Sequence, residues 1–445
     1  MFRATHLRLA LCLGILISLL GSKAPSGDKR SADVMTSLQR DEALRMLKDV
    51  DEKVSKEYYD ATYHGLNLDA RYKEAEQKIS EARSLSDAFG VIAWFLDALN
   101  DSHTFFVPPR RPFLVEDGWE AGFIGDTCMI TAVKEGSDAA SKGLKPGDQL
   151  MAIEGFRPSR TNWWKLTYAF HSLSPRSGIK LTVVSPGGQP RDLTAMSTVH
   201  ELPRKYDWRN GIDVWNVIRQ AENEEERNKP RTIEEGDVLV WKLPRFLVSD
   251  EQIDGFLHKA NNHKAVVIDL RGNPGGAEEN LSRLLGGVFD HEVKIADRVE
   301  RKSSKPFVAK SRGSHAYSGK LVVLVDSRSA SASELFARVI QLEKRGTVIG
   351  DRSAGAVMEA RQFPFSQGSA FGTDLPYGVE VTVADLKMTD GTSLEHHGVV
   401  PDEILLPSPE ELAAGADPQL ARALQLAGAP MSSAAAGQLF PVRWR

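Results

Sequence analysis

The chain has 445 residues, of which 41% are hydrophobic and 26% charged, and its formal net charge at pH 7 is −4. That length accommodates roughly two to four domains with sizeable cores. The mildly acidic balance leaves no electrostatic footprint for nucleic acid or an anionic membrane, and no repeat or heptad runs through the chain.

Arg3 and Arg8 precede the apolar run "LALCLGILISLLG", followed by small and polar residues. The run is short for a bilayer span and fits a secretory signal over residues 1–24; an uncleaved anchor is the alternative. Its removal takes away Arg3, Arg8 and Lys23 and no acid, moving the net charge from −4 to −7. Cys12 lies inside the run, in no lipoprotein position, and Cys128 is then the sole cysteine, which excludes an intramolecular disulfide. The expected product is an exported protein, periplasmic or extracellular.

Residues 31–112 read as a helical N-terminal domain. "SLQRDEALRMLKDVDEKVSKEYYD" has apolar residues at helical spacing, and "SLSDAFGVIAWFLDALN" opens on a Ser-x-x-Asp cap. The prolines of "DSHTFFVPPRRP" end that pattern. Residues 113–198 change to short strands and turns: "TCMITAV", "QLMAIEG" and "IKLTVVSPGG", with a short helix in "GSDAASKGLKPGDQL". The stretch "AVKEGSDAASKGLKPGDQLMAIEG" resembles a PDZ domain. Such domains take an extended polypeptide end as an added strand, its carboxylate held by backbone N–H groups. The resemblance puts the carboxylate loop at "AGFIG", Ala121 to Gly125, and makes Gly122, Phe123 and Ile124 peptide-binding.

A charged connector over 199–235 includes "AENEEERNKP", read as a solvated helix and loop. From 236 to 410 strands and helices alternate: "DVLVWKL", "DEQIDGFLHKANN", "AVVIDL", "AEENLSRLLGGVF", "KLVVLVD", "SELFARVIQLEKR", "GTVIG". That texture predicts a parallel or mixed sheet covered by helices. Residues 411–445 hold one amphipathic helix, "DPQLARALQLAG", and a low-complexity tail.

In α/β sheets sites form at the carboxyl ends of strands. Three loops qualify here: "DLRGNPGG", "SRSASASE" and "SLEHHGVVPD". A Gly-Gly pair at a strand end offers bare N–H groups for an oxyanion hole, or serves as a tight turn. With "VVIDLRGNPGG", "LVVLVDSRSASASELFARVIQ" and "GVVPD" together, the chain resembles the carboxyl-terminal processing, or tail-specific, serine peptidases and their tricorn-core relatives. The resemblance implies a multi-domain α/β protein whose peptidase core is ClpP/crotonase-like. It puts the nucleophile on Ser331, with Ser333 or Ser329 capping the next helix, and the oxyanion donors on Gly275, Gly276 and Ala332.

One branch of that family pairs the serine with a lysine, whose place here is taken by Ala356; no lysine lies between Lys344 and Lys387. The tricorn-like branch uses a histidine oriented by a glutamate. "LNDSHTFF" then names His103 as base, beside Ser102, and "SLEHHGVVPD" names Glu395. His396 and His397 are rival bases, and Asp390 is the rival carboxylate. The implied activity is an endopeptidase acting on unfolded or tailed polypeptides, with no metal, no organic cofactor and no nucleic-acid partner. A catalytically inactive peptide-binding protein of the same fold is the alternative that Ala356 motivates.

Overall fold

The computed structural model describes residues 35–111, 113–201, 229–368 and 374–444. The expected signal and the stretch "AENEEERN" of the connector lie outside them.

Three helices open the described chain: α1 (Ser37–Glu57), α2 (Leu68–Glu81) and α3 (Leu85–Asp97). Each starts where the sequence supplies a cap, and both Thr36 with Gln39 and Ser84 with Asp87 close full capping boxes. Their apolar faces converge on Met46, Leu47, Ile92 and Phe95, but the cluster is completed by Tyr377, Val379 and Val381 from far along the chain. The helices therefore share a core with a distant strand. That shared core brings the 101–104 loop to the rest of the molecule.

Short strands β1 (Phe105–Val107) and β2 (Phe113–Glu116) lead into β3 (Trp119–Ile124) and β4 (Thr127–Val133). After the four-residue helix α4 (Asp138–Ser141) come β5 (Gln149–Ile153) and helix α5 (Trp163–Tyr168), which runs on as a π turn over Ala169–Leu173. Strands β6 (Gly178–Val184) and β7 (Arg191–Met196) complete an antiparallel sheet in the order β3-β4-β5-β6-β7, while β8 (Thr198–Glu201) pairs with β2. Thus β3 is an edge strand, and Ala121 to Gly125 form its second half and a hairpin turn with β4, not the open loop expected from sequence. The tight turn starts at Gly125, whose φ of 58° is left-handed.

The rest is built on a six-stranded sheet. Strand β9 (Arg231–Glu235), placed by sequence in the connector, is its antiparallel edge. Strands β10 (Val238–Lys242), β11 (Ala265–Asp269), β14 (Lys320–Val325), β15 (Thr347–Gly350) and β18 (Glu403–Ile404) run parallel, in the order β18-β15-β14-β11-β10-β9. Helices α6 (Asp250–Ala260), α7 (Glu278–Gly286) and α8 (Ala332–Leu342) cover one face, where Phe246, Leu284, Phe336 and Ile340 are fully or almost fully buried. The other face is covered by α10 (Pro418–Ala427), the helix after the short α9 (Pro409–Ala413).

The supposed low-complexity tail contains α11 (Ser433–Gly437), whose Ala436 is fully buried against the sheet. Between α7 and α8, and again after β15, the chain makes a second sheet from β12 (Val293–Glu300), β13 (Ser304–Ala309), β16 (Met358–Gly368) and β17 (Asp374–Met388). Strand β1 pairs with β17 through Phe105↔Glu380 and Phe106↔Val379, which fixes His103 two residues upstream.

Candidate active site

The loops after β11, β14 and β15 meet at one end of the parallel sheet. Buried Asn273 ties the first two together. Its carbonyl accepts from the Ala330 N–H and the Ser333 hydroxyl, both at 3.0 Å, and its Nδ2 donates to the Leu243 carbonyl at 2.9 Å. Ser329 donates to the Leu270 carbonyl at 2.8 Å and accepts from the Asp326 N–H at 2.9 Å. Neither Ser329 nor Ser333 caps α8, as sequence had suggested. The N-cap is Ser331 itself.

Ser331 sits at φ 53°, ψ −118°, a left-handed conformation that costs a non-glycine residue about 1–3 kcal/mol. The strain is held by its surroundings. The Ser331 N–H donates to the Ala356 carbonyl at 2.8 Å and to Glu334 Oε2 at 3.1 Å. Gly275 approaches so closely that a Cβ there would lie 2.7 Å from Ser331 Cβ, and one on Gly276 would lie 2.2 Å from the Phe246 carbonyl oxygen. Only glycine fits at either place.

The glycine pair divides in role. The Gly275 N–H donates to Asn273 Oδ1 at 2.8 Å, which corrects its assignment as an oxyanion donor. The Gly276 N–H stands outside the bridge to Phe246, because that bridge runs from the Phe246 N–H to the Gly275 carbonyl and from the Ala277 N–H to the Phe246 carbonyl. The Ala332 N–H is the first of α8 and has no acceptor within the helix. The Gly276 and Ala332 N–H groups thus have no acceptor among the hydrogen bonds described around Ser331.

Glu334 escaped the sequence reading. Completely buried, its carboxylate accepts from the Ser353 hydroxyl (2.6 Å) and from the N–H groups of Gly355 (2.8 Å), Ala356 (3.0 Å) and Ser331 (3.1 Å). Burial pushes its carboxyl up to about 7, against the pull of those four donors. In effect Glu334 rivets the Ser353–Ala356 loop to Ser331. The one sequence signal for it was an acidic residue three positions after a serine, which reads as a helix cap.

His103 reaches the same end of the sheet from the other side. The Glu395 carboxylate accepts from the Ser102 N–H (2.7 Å), the Ser102 hydroxyl (2.9 Å) and the Val357 N–H (2.8 Å). The Ser102 oxygen also lies 2.7 Å from His103 Nδ1. Since Ser102 gives its proton to the carboxylate, its oxygen accepts from Nδ1–H, and Nε2 is left with a lone pair. Glu395 therefore orients His103 through Ser102, not by direct contact.

Burial lowers the His103 pKa below its ordinary value and so favours the neutral ring, against the field of Asp101. Burial likewise raises the Glu395 carboxyl, opposed first by the Val357 N–H. Val357 follows Ala356, so the Ser331 and His103 networks share one stretch of backbone. Among the described residues no hydrogen bond joins the Ser331 hydroxyl to His103; catalytic hydrogen bonds commonly tighten only around substrate.

The rival histidines bond to backbone, with His396 Nε2 also 3.8 Å from Glu395 Oε1, and Asp390 is paired with Arg338. His396 Nε2 lies 2.9 Å from the Asn100 carbonyl and His397 Nδ1 lies 2.8 Å from the Glu395 carbonyl, so each ring donates to backbone at that nitrogen. Asp390 pairs with Arg338 at 2.5 Å and accepts from Thr392.

Gly122, Phe123 and Ile124 lie on the edge strand where it docks against the loop that leads from β14 to Ser331. The Ser327 hydroxyl donates to the Phe123 carbonyl at 2.6 Å, and the Gly125 N–H donates to Asp351 at 2.9 Å. Arg160 clamps Asp351 at 2.6 Å, while Arg328 pairs with Glu120 at 3.2 Å. This half of β3 is occupied by the core, so a strand added there meets Ser327 and Asp351 first.

Residues 237–405 match the model described as Peptidase family S41. The chain is 29% identical over 309 residues to a carboxyl-terminal-processing protease of Synechocystis sp., covering 67% of this chain and 64% of that protein. It is 25% identical over 363 residues to a tail-specific protease of Haemophilus influenzae, covering 75% of this chain and 48% of the relative. Both matches span less than two thirds of the relatives' own length. The crystal structure of mature CPAF has the same fold over 85% of this chain and 95% of its own, with a TM-score of 0.62 at 16% identity. Ser331, the glycine pair and Glu395 all fall within the span that is similar to peptidase family S41.

Proposed function

We propose that the protein is an exported serine endopeptidase that hydrolyses peptide bonds of unfolded or tailed polypeptides. The observation that carries this reading is the Glu395–Ser102–His103 chain, which engages Nδ1, leaves Nε2 to serve as base, and is tied through Val357 to the stretch that holds Ser331. In the first step Ser331 Oγ attacks the scissile carbonyl carbon while Nε2 takes the hydroxyl proton. Negative charge builds on the carbonyl oxygen, against the Gly276 and Ala332 N–H groups. Collapse breaks the C–N bond, and the imidazolium returns its proton to the departing amine. Water then cleaves the acyl-serine by the same route, with His103 again as base.

The antiparallel unit over β3 to β7 serves as a PDZ-like substrate-binding module, a reading supported by its edge strand and by the helix that follows β5. Export rests on the apolar run after Arg8. A serine-directed fluorophosphonate tests the chemistry: it should label the folded protein and fail to label Ser331→Ala. Absence of labelling in folded wild-type chain would favour a peptide-binding protein without catalysis.

A further inference from the structure

A cavity of about 460 Å³ opens beside the first half of β3. It shares no residue with the Ser331–His103 site. One wall is the run from β2 into β3, including Asp117, Trp119 and Glu120; a second is the end of the π turn at His171. The third comes from the far end of the chain: Arg443 and Trp444. The volume is in the range of ligand sites, about 300–1,000 Å³.

Two features mark it as a strand-binding groove. β3 is the sheet edge, and only its second half is covered by Ser327 and Asp351. Trp119, 8% exposed, has an indole N–H with no acceptor among the described residues. Trp119 packs into the core of that sheet and so fixes the wall of the groove, while the open edge is what an incoming strand meets.

The tail is placed there by an anchor close at hand. Phe440 packs under the Arg231 guanidinium, 5.1 Å from ring centre to Cζ, and the Pro441 carbonyl accepts from Arg231 Nη1 at 3.0 Å. Pro441 is thus fixed to the core, and only Val442 separates it from the lining residues. The segment "PVRWR" is basic and aromatic, and Glu116, Asp117 and Glu120 stand around the opening. Those acids are partly answered by Lys134, His171 and Arg328, so what brings the basic tail to the opening is chiefly its anchor at Arg231.

We propose that this groove takes a polypeptide strand and that the chain's own tail, residues 441–444, competes for it in cis, so that a substrate segment binds by displacing the tail. This rests on the reading of the β3–β7 unit as a polypeptide-binding module. A short tether presents its ligand at about millimolar effective concentration, so a tail of about 100 µM intrinsic affinity weakens a competitor about tenfold.

The test uses Ser331→Ala protein, so that binding is read without cleavage. A fluorescein-labelled peptide with the sequence of residues 436–445 is titrated by anisotropy against the full chain, a chain lacking 442–445, and full-length Trp444→Ala. The shortened chain keeps the Pro441 anchor and should bind about tenfold more tightly than the full chain, with Trp444→Ala in between. Equal, measurable affinities in all three would overturn the cis competition while leaving a working peptide groove. No binding to any of them would overturn the groove itself, and fluorophosphonate labelling of the Ser331 protein would be unaffected by either result.

Discussion

Ser331 is held by neighbours in sequence: Glu334 three residues on, and the 353–356 loop that Glu334 binds. His103 is held by Asp101, two residues back, and by groups from the other end of the chain. Glu395 reaches it through Ser102 across 293 residues, and Thr382 bonds Thr104 across 278. The nucleophile corner is thus a device of the parallel sheet alone, assembled as soon as β11, β14, α8 and β15 pack. The base corner exists only when the N-terminal helices close on β17. The first should tolerate loosening of the N-terminal helices, and the second should not.

The largest effect should come from removing the base. His103→Ala is expected to lower kcat/KM by about 10³-fold or more, as for other triad members, while leaving the thermal transition close to wild type. Restoring a lysine by Ala356→Lys should not rescue it. The Ala356 backbone already bonds Ser331 and Glu334, but nothing around its side chain was selected to lower an ammonium pKa. Wild-type turnover in His103→Ala would remove the two-corner picture altogether.

Next is the nucleophile corner. In Gly275→Ala the new methyl meets Ser331 Cβ at 2.7 Å and must push the serine or the loop aside. A displacement on that scale should cost about 10²-fold in kcat, with KM little changed, because the groups that misalign are those reacting in the transition state. Unchanged kcat would mean that the corner is not rigid.

A smaller loss, about 10- to 100-fold, is expected for Ser102→Ala or Glu395→Gln, since a misoriented imidazole still accepts a proton part of the time. The comparison is sharpened by combining them. If Glu395 acts on His103 through Ser102, the double variant should be little worse than either single one. Full additivity of the two losses would show that Glu395 acts by another path.

Those predictions rest on residues that were unequally visible in the sequence. Ser331, His103 and Glu395 lie in short motifs whose residue types the chemistry demands. Ser102 was noticed only as a neighbour, because a hydroxyl bridge depends on where a chain end folds back. Glu334 was hidden for the opposite reason: as an acid in a helix's first turn it looks ordinary. Parallel strands of unbroken Val, Ile and Leu, such as "AVVID", were plain. Strand "RTIEE" was lost in a charged connector because an edge strand needs few apolar residues. The helix "WWKLTY" was missed because its aromatics favour strand as readily as helix. The PDZ resemblance makes "AGFIG" a loop, whereas most of it lies in the edge strand β3.

Glu334→Gln tests how far the local rivet matters. An amide keeps one oxygen for the four donors and turns an NH2 toward the others, so a stability loss of about 1–3 kcal/mol is expected, with activity falling only in proportion to displaced Ser331. The wild type should also carry a pH signature. Its carboxyl stays protonated in the fold up to about 7, against 4.5 for the ordinary group. The folded state therefore holds the extra proton between those values, and stability should decline as pH rises through that window. The glutamine variant should lack this slope in chemical denaturation.

The smallest effect concerns the acid limb of the pH–rate profile. A general base works unprotonated, and burial holds His103 below the ordinary histidine value of about 6.5, with Asp101 opposing. The limb of kcat/KM should accordingly lie on the acid side of 6.5, keeping the enzyme active in mildly acid solution. Asp101 accepts from the His103 and Thr104 N–H groups and from the Thr382 hydroxyl. Asp101→Asn keeps an oxygen for those donors and removes the charge that favours imidazolium, so it should move the limb further toward acid by a fraction of a pH unit. A shift toward alkaline pH in that variant, or a wild-type limb above 6.5, would mean that a group other than a desolvated His103 governs the profile.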